Sequence, residues 1–247
     1  MSRIAREWVA TDQGFRQKLT FIRFDASQRL EHVVTLASTA ILALTGLPQK
    51  FHEADISRFM ISVLGGIEIV RTVHHVFAIL LAMGGIYHVL RAMYSILAKG
   101  SRLSMIPTWK DFTDGITMVK YFFGLSKEKP RFDRYSYGEK VEYWAMVWGT
   151  VLMGLTGFIM WFPTKATVVL DGLWIEVAKA AHGGEAVLAV LSLLVWHSYH
   201  VHIKSLNTSM FSGKLSREHM LEEHPLEYAR LIAEEGEAEI APFTVVK

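Results

Sequence analysis

The chain holds 247 residues, 51% of them hydrophobic and 20% charged, with a formal net charge of +2. It is too apolar for an average soluble domain, and its length allows one or two domains. Near-neutral charge leaves no global nucleic-acid footprint. The absence of cysteine excludes disulfides, iron–sulfur ligation by this chain and thiolate zinc sites. Any iron–sulfur cluster must therefore belong to a partner.

Residues 1–30 read as a cytoplasmic N-terminal segment. Arg3, Arg6, Arg16, Lys18, Arg23 and Arg29 stand there without an apolar run, which is unlike a cleavable signal peptide. Four apolar blocks follow, at about 33–47, 73–97, 141–162 and 183–203. The first stops at Gly46-Leu47-Pro48 and the third at Pro163. A spanning helix needs roughly 20 mostly apolar residues. The blocks predict an all-α, integral membrane four-helix bundle over residues 31–204, with residues 205–247 as a cytoplasmic tail. No segment reads as a strand, and no internal repeat stands out. Between the second and third blocks, Trp109, Phe112, Ile116, Val119 and Phe123 recur at helical spacing among charges, the pattern of a helix lying on the membrane surface. The tail from Ser216 onward reads as a solvated, fraying helix. Trp144, Trp148, Trp161, Trp174 and Trp196 fall near span ends, as an aromatic belt would.

An even number of spans puts both termini on one side. The N-terminal segment, the 91–140 connection and the tail together carry 21 Lys and Arg, against 5 in the other two connections. Positive residues stay inside, so both termini are expected in the cytoplasm.

The 11 histidines carry most of the functional argument. His32 opens block one. His74, His75 and His88 lie in block two. His182 opens block four, and His197, His200 and His202 close it. Ionisable groups inside a span are costly and default to a functional reading. Neutral imidazole is a good axial ligand for haem iron, and without cysteine bis-histidine ligation is the natural way to hold a b-type haem. His74 to His88 is 14 residues, His182 to His197 is 15, and His182 to His200 is 18. At a rise of about 1.5 Å per residue these pairs are about 21–27 Å apart along a helix, one ligand near each membrane face. Spans two and four run in the same direction, so His74, with His75 as alternative, pairs with His182 near the outer face. At the inner face His197 or His200 opposes His32 or His88. Helical phase at 100° per residue puts His200, rather than His197, in line with His182. Arg29, Arg71 and Arg91 flank these positions as partners for haem propionates. His202, His219 and His224 read as aqueous.

Arg29-Leu30-Glu31-His32, Thr45-Gly46, Arg71-Thr72-Val73-His74, Tyr135-Ser136-Tyr137-Gly138-Glu139-Lys140, Thr156-Gly157, His182-Gly183-Gly184, His197-Ser198-Tyr199 and His224-Pro225 stand in that order. In order and spacing the chain resembles the cytochrome b (gamma) subunit of membrane-bound formate dehydrogenases, within a wider group of b-type cytochromes of hydrogenases and thiosulfate reductases. The resemblance implies an inner haem on His32 and His197 and an outer haem on His74 and His182. It also implies a quinone, menaquinone or ubiquinone, contacted by His197, Ser136, Gly138 and Glu139. His88 and His200 have no counterpart in that pattern, which leaves a third haem open, and span four is one residue longer between its histidines. The loop commonly carries amides where this chain has Ser136 and Glu139. Glu139 is a candidate proton carrier. The implied role is that of an electron-transfer subunit in a bacterial or archaeal inner membrane. It would link a catalytic subunit, through an iron–sulfur or multihaem subunit, to the quinone pool. The different-class alternative is a haem-free anchor or a zinc or copper transporter.

A reporter joined after Lys247 is expected in the cytoplasm, and one inserted beside Asp55 or Asp171 outside. External labelling of the tail would reverse every depth assignment above.

Overall fold

The computed structural model describes residues 3–11 and 14–235. In chain order the elements are β1 (Ile4–Thr11), β2 (Gly14–Ile22), α1 (Ala26–Lys50), α2 (Asp55–Val63), α3 (Ile67–Lys99), α4 (Trp109–Phe122), α5 (Tyr137–Trp161) and α6 (Pro163–Ala166). Then come α7 (Leu173–Ser192), α8 (Ser209–Ser212), β3 (Lys214–Ser216), α9 (Arg217–Glu223) and α10 (Pro225–Glu235). α7 continues as π-helix over Leu193–His197 and Tyr199–Ile203. The chain divides into two compact units. One holds Met1–Ala26, Leu103–Val141 and Asn207–Lys247, the other Ser27–Arg102 and Glu142–Leu206.

The second unit is helical and contains the body of four helices long and apolar enough to cross a membrane: Ala26–Lys50, Ile67–Lys99, Tyr137–Trp161 and Leu173–Ile203. On α3 the side chains of Val76, Met83, Ile86 and Leu90 are all more than half exposed. In water such a surface would be untenable; in lipid it costs nothing, and the helices satisfy their own backbone. Each span begins before the apolar block that signalled it, at Ala26, Ile67, Tyr137 and Leu173. α1 runs through Pro48 to Lys50, because a proline in the last turn forfeits only one backbone bond. α7 begins at Leu173, so His182 lies well inside the span rather than at its opening. Gly65 and Gly66, at φ 95° and 97°, make the turn from α2 into α3, a conformation that glycine adopts without steric cost.

The first unit contains what the sequence reading missed. β1 and β2 pair antiparallel, from Ile4 opposite Phe21 to Thr11 opposite Gly14, and β3 joins β2 with Leu215 opposite Phe21. Leu19 and Phe21 alternate on β2 and bury one face with Ile4, Leu215, Met220 and Leu231. Dense Arg and Lys in residues 1–30 signalled a membrane flank, and that signal masked the alternation. The tail is likewise packed as far as Glu235 rather than solvated, with Met220 1% and Leu231 4% exposed. The acid-rich stretch beyond it lies outside the described residues.

A buried charge cluster joins these pieces. Glu227 of α10 is fully buried. It meets Arg3 at 2.8 Å, Arg23 at 2.9 Å and Arg134 at 3.1 Å. Arg23, itself buried, also donates to Glu139 at 2.9 Å and lies 4.8 Å over the Tyr135 ring. His224 is buried, not aqueous, and its Nδ1 bonds the Asp133 carbonyl at 2.9 Å. Burial, with the nearby Arg23 guanidinium, holds its pKa below the ordinary histidine value despite the opposing carboxylates of Glu139 and Glu227.

α4 forms over Trp109–Phe122 as the spacing predicts, closed by a capping box between Thr108 and Asp111. Lys140 holds Asp111 at 2.8 Å. Burial alone would raise the Asp111 pKa, but the bonds from Lys140 and Thr108 outweigh it and carry the pKa below the ordinary value. Trp109, Phe112, Ile116, Val119 and Phe123 all stay exposed.

Glu227→Ala would leave Arg23 and Arg134 facing each other without their shared anion. Removing one partner of a buried pair costs about 3–5 kcal/mol. Hydrogen exchange at Leu19, Phe21 and Leu215 should accelerate together, and unchanged protection there would show that the cluster does not hold the sheet.

Candidate functional site

Two pairs of histidines meet inside the spanning unit. His74 of α3 and His182 of α7 have ring centroids 6.3 Å apart at 61°. His32 of α1 and His197, which closes the first π segment, have centroids 6.5 Å apart at 32°. Two imidazoles on opposite sides of one metal, each nitrogen about 2 Å from it, have their centroids roughly 6 Å apart. Both pairs therefore leave room for one bridging atom.

The neighbours decide which nitrogen faces that atom. Thr45 Oγ1 donates its single proton to the Ile41 carbonyl at 2.7 Å. Toward His74 Nδ1, 2.9 Å away, it can then only accept. The proton is on His74 Nδ1, and Nε2 keeps its lone pair. Thr156 repeats this one span pair later, donating to the Leu152 carbonyl at 2.7 Å and accepting from His182 Nδ1 at 2.9 Å. His197 Nδ1 faces Glu142 Oε2 at 3.2 Å, again an acceptor. Each threonine is followed by a glycine that leaves space for the ring. A Cβ on Gly46 would stand 3.0 Å from His74 Cε1, and one on Gly157 3.3 Å from His182 Cε1. This Thr-Gly device, one per helix pair, is an internal repeat that the sequence reading did not register. The two dipeptides were visible as motifs, but nothing in sequence linked them to a histidine.

The remaining histidines are engaged otherwise. His75 stacks on Trp161, centroids 4.0 Å apart. His88 Nδ1 bonds Glu31 at 2.7 Å and its Nε2 bonds the Tyr143 hydroxyl at 2.9 Å, so both nitrogens are committed. His200 bonds the Trp196 carbonyl at 2.9 Å and packs on the Trp196 ring. Of the flanking arginines, Arg91 is paired with Glu31, and Arg71 with Glu68 at 3.1 Å. Arg29 Nε is buried with no hydrogen-bond partner among the described residues. Sequence reasoning also missed Glu31, Glu142 and Tyr143, whose charge or hydroxyl inside a span was the available signal.

Ser136, Gly138 and Glu139 belong to the first unit. Glu139 Oε2 accepts from the Ser136 backbone N–H at 2.8 Å and from its hydroxyl at 3.0 Å, and Oε1 accepts from Arg23. The acid is therefore a capping group held by charge, with both oxygens engaged. A Cβ on Gly138 would meet Ser136 Oγ at 3.9 Å, an ordinary contact.

Fold and site define a helical membrane protein with two pairs of intramembrane imidazoles. The chain belongs to the prokaryotic cytochrome b561 family, whose model matches residues 23–213. It is similar to the formate dehydrogenase cytochrome b556(fdo) subunit of Escherichia coli strain K12, 20% identical over 213 residues, 86% of this chain and 94% of that protein. The corresponding subunits of E. coli O6:H1 and O157:H7 match equally. The family makes this a multi-pass electron-transport cytochrome of the bacterial inner membrane, with haem b as cofactor. That sets aside the haem-free alternative. The donor set fits the group: two pairs of imidazoles, no competing thiolate, and among the described residues no cluster of three or more His, Asp or Glu that would hold a metal ion instead.

Gly46→Val and Gly157→Val should each drive a side chain into a histidine ring and lower the haem bound by the purified protein. Full haem content in both would sink the packing argument.

Proposed function

We propose that the chain is the di-haem membrane cytochrome b subunit of a respiratory oxidoreductase. It passes electrons between a partner at the outer face and the quinone pool at the inner face. The observation that carries this reading is the pair of histidine pairs, each spaced for one bridging atom, with three of the four Nδ1 positions facing oxygen acceptors. His74 and His182 are the ligands of the outer haem, His32 and His197 of the inner. Bound haem supplies one-electron redox chemistry; the protein supplies position, axial ligands and tuning.

The chain's own groups divide the remaining work. Thr45, Thr156 and Glu142 orient the ligand rings. Arg29, with its buried Nε, is suited to a haem propionate. His88, with both nitrogens engaged, serves as a hydrogen-bonding residue rather than as ligand to a third haem. The quinone contacts are assigned, on the resemblance alone, to His197, Ser136, Gly138 and Glu139. Because Arg23 and Ser136 take both carboxylate oxygens of Glu139, that residue holds the loop rather than carrying protons. The positive-residue distribution supports cytoplasmic termini, with α4 laid on the inner membrane surface by its exposed apolar face.

The relatives' name supports a formate dehydrogenase-like catalytic subunit as partner; the iron–sulfur or multihaem electron-transfer subunit is the remaining member of the proposed set, since this chain has no cysteine to hold a cluster.

Haem per polypeptide should be two by pyridine haemochrome assay. His182→Ala and His32→Ala should each remove one, and His32→Ala should also abolish quinone reduction. His88→Ala should retain both. Loss of haem from His88→Ala with full content in His32→Ala would place the inner haem on α3 and α7 instead.

A further inference from the structure

The two histidine pairs have unlike surroundings. His74 and His182 each give their Nδ1 proton to a threonine hydroxyl, a neutral acceptor. His197 faces a carboxylate, Glu142 Oε2 at 3.2 Å. The other carboxylate near this level, Glu31, is met by Arg91 and His88. Glu142 has no such compensation: among the described residues its ion-pair partner is His197 alone. Both side chains are partly buried, His197 36% and Glu142 27% exposed, at the end of an apolar bundle where solvent screens charge less than in water.

Resting on the assignment of His197 as an inner-haem ligand, we propose that Glu142 is a positioning residue that tunes that centre. Its carboxylate accepts the Nδ1 proton of His197, fixes the ring, and lowers the reduction potential of the iron that His197 holds. The physical reason is charge. A one-electron couple has one more positive charge when oxidised, and an anion hydrogen-bonded to the axial ligand stabilises that form and strengthens the ligand as a donor. A threonine hydroxyl orients the ring without adding the charge. The two centres are therefore made unequal by their acceptors, although their ring centroids are almost equally spaced, at 6.3 and 6.5 Å. With the quinone beside the inner centre, a lower potential there steepens the final step to the quinone.

The test is a spectroelectrochemical titration of the purified full-length protein, with haem counted in parallel. Glu142→Gln keeps the size and an acceptor oxygen but removes the charge. One midpoint should rise, on the order of a tenfold change in the reduced-to-oxidised ratio at fixed potential, or about 59 mV for one electron, while the other stays in place. Glu142→Asp should bring it back toward the original value. Thr156→Val should disturb the other centre. Two unmoved midpoints at full haem content in Glu142→Gln would overturn the proposal, as would a shift confined to the centre that Thr156→Val disturbs. If Glu142→Gln loses haem, Glu142→Asp decides: a retained low midpoint supports the tuning, and a raised one at full haem content overturns it. Retention of both haems in His197→Ala is a separate outcome. It would remove the ligand assignment itself, and the proposal with it.

Discussion

Much of this molecule depends on where one hydroxyl proton goes. A threonine in a membrane helix has a backbone carbonyl one turn back within reach, and lipid offers no competing water. Thr45 and Thr156 both spend their proton there. What remains is an acceptor, and an acceptor beside imidazole Nδ1 fixes the tautomer. A histidine that would otherwise be an expensive polar group in the bilayer then presents one bare nitrogen in a set direction. The glycine after each threonine is the steric counterpart, since it lets the ring lie against the neighbouring helix backbone. Polar satisfaction, tautomer and packing are thus set by the same two-residue unit, used once per helix pair.

The His32–His197 end is built differently, and the helix geometry there is the reason. A π-turn carries more residues per turn than an α-turn, so rotation accumulates more slowly than 100° per residue. The π segments Leu193–His197 and Tyr199–Ile203 begin beyond His182. It is His197 that meets His32, while His200 turns onto Trp196. Phase reasoning at a uniform 100° favoured His200 because it assumed an undistorted α-helix. The resemblance favoured His197 because it compares positions, not angles.

Other parts of the chain were legible to different degrees, for physical reasons. Span existence and the His74–His182 pairing were legible because lipid imposes length and depth directly on sequence. Span ends were less so. Leu173–Lys179 contains Glu176 and Lys179, which interrupt the apolar run without interrupting the helix. The sheet was not legible. Leu19 and Phe21 turn inward at the end of β2, and its third strand, Lys214–Ser216, arrives from nearly two hundred residues away. Long-range pairing leaves no local period to read.

The buried Glu227 shows why the first unit had to be read as a whole. An anion without water is untenable alone, so it requires cations, and Arg3, Arg23 and Arg134 come from three separate parts of the chain. In sequence each of those arginines counts as one more positive-inside residue. In the structure they are spent on a single carboxylate. A Lys/Arg tally cannot see what their charge does in the fold: it closes the hairpin, the loop before α5 and the tail around one fully buried acid. Glu139, on the same Arg23, extends the cluster to the first turn of α5. Through it, a charge arrangement outside the spans sets the loop around Ser136 that the proposed quinone site draws on.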